Sequence, residues 1–191
     1  MNTIAERDDG IRIVRLETPE DGELWRAAFV GAYQSIWSEP PYEERFFPDE
    51  AEGVLRRALR VQDHVTLLAV RESGLCVGFG IAYPVAGKAD VAREIRGLLP
   101  LESTFYFAEL GVLDGWRDRQ LGRQLVSARL DCVDRARFRH VLLRTSAVRN
   151  ASYEMYLKMG FHDTGVYMEV PSRRMDGTTR TDRRLFLSRV L

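Results

Sequence analysis

Residues 105–125 read Phe105-Tyr106-Phe107-Ala108-Glu109-Leu110-Gly111-Val112, then Leu113-Asp114-Gly115, then Trp116-Arg117-Asp118-Arg119-Gln120-Leu121-Gly122-Arg123-Gln124-Leu125. The first eight are almost all apolar, as expected of a strand covered on both faces. The last ten open an amphipathic segment that continues to about Arg137, with Leu121, Leu125, Ala128 and Cys132 along one stripe. Strand, short basic loop and helix together aim free backbone N–H groups and a positive helix end at an anion. One residue interrupts the apolar run. Glu109 is a carboxylate in a strand where burial is costly unless the group is paired or used.

Working outward, residues 140–145 are a further strand, and strand–helix–strand argues for a parallel crossover. Residues 151–159 read as a short helix stopped by Gly160. Residues 161–170 read as a strand, 171–184 as a polar, arginine-rich turn region, and 185–191 as a closing strand of a C-terminal hairpin. Upstream, Ile11, Ile13 and Leu16 alternate with Arg12 and Arg15 as a strand with one wet face should. Thr18-Pro19-Glu20-Asp21 is a helix-start signal, and Pro40-Pro41 cannot continue that helix. A second helix spans about 50–60, and residues 65–70 and 76–83 form a hairpin about Glu72-Ser73-Gly74. Residues 84–104 are an inserted connection in which Val91, Ile95, Leu98 and Leu99 repeat at helical spacing. Residues 1–10 are expected to be flexible. The segment 39–52 is acidic and aromatic and suggests a surface for a cationic group.

The chain has 191 residues, 45% of them hydrophobic, so one domain over 1–191 with a substantial core is expected. Acids and bases balance at 28 each, which gives no global field to attract nucleic acid or an anionic membrane. Lys88 and Lys158 are the only lysines among those bases. Cys76 and Cys132 are the only cysteines and lack metal-ligand or disulfide spacing, as do His64, His140 and His162; no metal site is expected. No apolar run reaches membrane-spanning length, and the expectation is a cytoplasmic protein.

Beyond the central stretch, Asn150, Tyr153, Tyr156, Gly160 and Phe161 recur in a second motif. With Arg117-x-x-Gln120-x-Gly122 before it, and a strand between, the chain resembles the GCN5-related N-acetyltransferases (GNAT) from about Ile11 to Leu191, most strongly over 105–161. The resemblance implies a mixed α/β fold: a mostly antiparallel sheet of about seven strands, a splayed central parallel pair and helices on both faces. It implies acetyl-CoA as donor co-substrate and an amine as acceptor, and dimers are common in that family.

Carried onto this chain, the loop Asp118–Arg119–Gln120–Leu121–Gly122–Arg123 wraps the pyrophosphate, with Arg117 adding charge. Leu110, Gly111 and Val112 lie along the pantetheine arm, Asn150 lies beside the cofactor, and Tyr153 is either a core residue or a cofactor-binding lid on the pantetheine. Gln120 stands where the family has a glycine, and Asn150 stands one residue closer to Tyr156 than the usual spacing. Glu109 is the candidate base for the amine proton; the alternative is a structural carboxylate satisfied by an arginine such as Arg144. Tyr156 is the candidate acid for the thiolate. The expected activity is direct transfer of an acetyl group to a primary amine of a small molecule. The acceptor is expected between segments 39–52 and 171–184. The alternative is a non-catalytic acyl-CoA sensor or assembly module.

Overall fold

The computed structural model describes residues 1–191, and its centre is a strand whose two neighbours run in opposite senses. That strand is β5 (Thr104–Val112). Before it come β1 (Asn2–Glu6), β2 (Ile11–Leu16), β3 (Val65–Arg71) and β4 (Cys76–Pro84). After it come β6 (His140–Ser146), β7 (His162–Arg173) and β8 (Thr179–Val190). The eight strands form one sheet in the order β1-β2-β3-β4-β5-β6-β8-β7, all antiparallel except β5 with β6. Residues Val65 to Val70 of β3 are buried without a break, which explains a run too apolar to alternate.

Helices cover both faces. On one lie α1 (Pro19–Ser38) and α2 (Pro48–Arg60), packed over a core that includes Phe29, Tyr33, Leu55, Leu68 and Phe79. On the other lie α4 (Leu121–Cys132) and α5 (Ala151–Lys158), over Phe105, Phe107, Leu125, Leu143 and Phe161. The connection 84–104 carries α3 (Ala89–Glu94) between two 3-10 turns, and Val91 and Ile95 cap a third cluster with Tyr106 and Phe186. No helix is long and apolar enough to cross a membrane.

Three expectations change. Residues 2–6, expected to be flexible, are an edge strand paired to β2, with Ile4 and Ala5 packed on the core; this makes eight strands where about seven were expected. Helix α4 stops at Cys132 rather than near Arg137. Most of the expected polar turn at 171–184 is strand instead. The ladder of β7 and β8 runs on to Arg173↔Thr179, and the turn is the short piece around Gly177, whose φ of 85° suits glycine. Polar residues on both faces hid these arms from a reading based on apolar alternation. Pro171 is tolerated because β7 is the outermost strand.

Candidate active site

The N-terminus of α4 is built differently from those of the other long helices. In α1, Thr18 accepts from the Asp21 N–H; in α2, Glu50 accepts from Phe47 N–H; in α5, Asn150 accepts from Tyr153 N–H at 3.0 Å. At α4 the cap is Gln120, whose side chain makes no such bond. A first helical turn leaves its N–H groups without intrahelical partners, so this end is open to an anion. It opens onto a cleft of about 760 Å³ lined by Arg117, Asp118, Gln120, Leu121, Gly122 and Arg123. Gln120 has φ 62° and ψ 6°, and Asp118 has φ 58°; both are left-handed without being glycine.

The far wall of the cleft is Leu110, Gly111 and Val112. Pairing of β5 with β6 ends at Phe107↔Leu143, whereas pairing with β4 continues to Gly78↔Val112. Residues 110–112 therefore present one unpaired backbone edge to the cleft, the kind of edge an extended amide chain can join. Asn150, Ser152, Met155 and Lys158 of the α5 region complete the wall, with Tyr42 from the loop after α1.

A bulge in β5 decides where Glu109 goes. Ile81 pairs with Glu109 but Ala82 pairs with Phe107, so Ala108 is the extra residue. Phe105 and Phe107 pack towards α4, and beyond the bulge so do Leu110 and Val112. In a regular strand Glu109 would share the face of Phe107. The bulge turns it to the α1–α2 side, where the Tyr33 hydroxyl donates to its carboxylate at 3.4 Å. There Glu109 borders a second cavity of about 270 Å³, between α2 and the inserted segment, with Arg57, Tyr83, Lys88 and Asp90.

Burial pushes the Glu109 carboxyl up to about 7. Arg144 and Lys88 pull it down and Glu44 adds to the rise. Its hydrogen-bond partner is a tyrosine hydroxyl, not the arginine that a structural carboxylate would need. Tyr156 is 6% exposed, with its ring 5.5 Å from Phe161 in an edge-on contact. Burial raises its hydroxyl pKa and the neighbouring Arg129 guanidinium opposes the rise.

The remaining expected residues divide between the cleft, the core and the surface. Tyr153 is 4% exposed in the core and does not line the cleft. Arg119 lies over the Trp116 ring, 5.0 Å from its centroid, outside the cleft wall. Arg117 lines the cleft but is spent on Glu39 at 2.9 Å, Asp114 at 3.1 Å and the Val112 carbonyl at 3.1 Å. Asn150 lines it while serving as the α5 cap. Lys158, Ser152 and Tyr42 were not singled out for this cleft in the sequence. Lys158, one of only two lysines, offered a signal; Tyr42 lay hidden in the acidic loop.

Three carboxylates of the acidic loop are paired with arginines distant in sequence. Glu39 meets Arg117, Glu44 meets Arg184 at 2.6 Å and Glu50 meets Arg173 at 3.3 Å. Segments 39–52 and 171–184 also join directly, through the Glu44↔Arg174 bridge and the bond from Arg45 N–H to the Arg173 carbonyl. These contacts tie the two segments together, and the cavity beside Glu109 is lined by α2, β4 and the inserted segment. No group of His, Cys, Asp and Glu is arranged to hold a metal ion.

A model of the Acetyltransferase (GNAT) family matches residues 23–161. No curated protein matches the chain significantly. Among solved structures, the ribosomal-protein-alanine N-acetyltransferase from Brucella melitensis is 20% identical with a TM-score of 0.63, over 94% of this chain and 99% of that one. A GCN5-related N-acetyltransferase from Kribbella flavida is 17% identical with a TM-score of 0.63, over 97% and 100%. A Salmonella typhimurium protein solved with its cofactor acetyl-CoA is 15% identical with a TM-score of 0.65, over 95% and 94%. At these identities the likeness is one of fold.

Proposed function

The chain belongs to the acetyltransferase (GNAT) family, and from that premise we propose that it moves an acetyl group from acetyl-CoA to the primary amine of a small molecule, by direct attack in a ternary complex. The observation that carries this reading is the bulge at Ala108. It puts the open edge 110–112 and Glu109 on opposite sides of one strand, each facing its own cavity. A donor in the larger cavity and an acceptor in the smaller would meet where β5 and β6 part.

The donor supplies a thioester carbonyl. The uncapped N–H groups of α4 suit its pyrophosphate, Arg123 and Lys158 suit its phosphate charge, and residues 110–112 suit its amide arm. An alkyl ammonium has a pKa of about 10.4 and must lose a proton before it attacks. Glu109, with its carboxyl near 7, takes that proton at neutral pH. The Tyr156 hydroxyl returns a proton to the departing thiolate. Arg57 makes no ion pair and borders the smaller cavity, so it suits an acceptor with an anionic group beside its amine.

The rival reading, an acyl-CoA sensor or assembly module, draws on Tyr156 lying behind the cleft wall rather than in it. Thiol release from acetyl-CoA across an amine panel, with products identified by mass spectrometry, separates the two. Acceptor-dependent release supports the enzyme. Thermal stabilisation by CoA with no release on any amine supports the module.

A further inference from the structure

Arg129, on α4, is the largest side chain in the molecule with no exposed surface. A buried guanidinium is normally held by a carboxylate. This one has none. Its Nη1 donates to the carbonyls of Ile81 at 3.3 Å and Glu109 at 3.0 Å, and its Nε donates to the Leu125 carbonyl at 3.3 Å. Its plane lies over the Phe107 ring, 4.2 Å from the centroid. A Cβ on Gly80 would come within 3.0 Å of Nε, so the bare strand at Gly80 is what admits the side chain. Nη2 has no hydrogen-bond partner, and burial lowers the pKa of the guanidinium.

Ile81 and Glu109 are the pair at which the β4–β5 register shifts. Bulges disrupt the ladder and leave backbone groups in need of other partners. We infer that Arg129 is a positioning residue, its guanidinium clamping the two bulge carbonyls from the α4 side and so holding Glu109 turned towards the acceptor cavity. A planar fork can reach both carbonyls from one Nη, which an ammonium on a lysine stem does less well.

This inference rests on the acetyltransfer reading only for its kinetic arm. With an acceptor in hand, kcat and KM are measured for wild type, Arg129→Met, Arg129→Lys, Glu109→Gln and the Arg129→Met/Glu109→Gln double variant. Arg129→Met is expected to lower kcat at least tenfold while KM for acetyl-CoA changes less than threefold. In the Glu109→Gln background the same substitution is expected to cost less than twofold, because the carboxylate it positions is already gone. Arg129→Lys is expected to recover part of the loss. Equal losses in both backgrounds would overturn the inference, since a purely structural role acts on both alike.

If Arg129→Met does not fold, Gly80→Ala displaces the same fork and is read in its place. If wild type acetylates no amine, a crystal structure of the variant decides without activity. Glu109 turned away from Tyr33 supports the clamp, and an unchanged Tyr33–Glu109 contact overturns it.

Discussion

Gln120 offers a test of how the pyrophosphate loop is held. Its φ of 62° places a side-chain-bearing residue in the left-handed region at the cap of α4, and its side chain makes no capping bond to repay that position. The left-handed conformation costs an L-residue roughly 1–2 kcal/mol. Glycine removes that cost but loses about 0.5–1 kcal/mol through the extra freedom of its unfolded chain. Gln120→Gly should therefore stabilise the fold by about 0.5–1 kcal/mol, a Tm rise of roughly 1–4 °C for a domain of this size. Gln120→Ala keeps the Cβ and should stay within about 0.5 kcal/mol of wild type. With the loop preset in the fold, the relief is expected to fall on folding rather than on binding. Calorimetric Kd values for CoA should then agree within about twofold between the two variants. A Tm for Gln120→Gly below that of Gln120→Ala would refute the strain argument. Tenfold tighter CoA binding by the glycine variant would refute the claim that the loop is preset.

Tyr156→Phe should lower kcat at least tenfold with CoA affinity retained, measured by thiol release and calorimetry. Arg57→Ala should raise KM at least fivefold for amines that carry a carboxylate and leave uncharged-tail amines within twofold, because one exposed ion pair or charge-assisted bond is worth about 1 kcal/mol. Glu109 should also leave a mark on stability. Its carboxyl is near 7 in the fold against 4.5 without it, so the folded state holds the proton more tightly and wild type loses stability as pH rises from about 4.5 to 7. The Tm of Glu109→Gln relative to wild type should therefore climb between pH 5 and 7.5 and then level off; a difference independent of pH would contradict the raised carboxyl.

Much of this architecture is visible in the sequence because its signals are local. The apolar run through β5, the Thr18-Pro19 start of α1 and the Gly160 stop of α5 each follow from a few adjacent residues. The family motifs named residues 110–112, 117, 118 and 120–123, and these line a single cleft. What stayed hidden depends on partners distant in sequence. A one-residue bulge at Ala108 leaves no compositional trace, yet it sets the direction of Glu109. Arg129 looks like the wet side of an amphipathic helix until the carbonyls of Ile81 and Glu109 are found around it. The acidity of segment 39–52 suggested a cation site because the arginines that cancel it lie at 117, 173 and 184. Arms of β7 and β8 beyond the core bury too little apolar surface to show as strands in a hydrophobic pattern.

The central claim is that Glu109 takes the acceptor's proton. The direct measurement is kcat against pH at saturating acceptor, for wild type and Glu109→Gln. Wild type is expected to show an acid limb centred near 7, where the carboxyl gains its proton, and the variant to be at least tenfold slower with that limb gone. A variant that keeps both the wild-type rate and the same acid limb would contradict it.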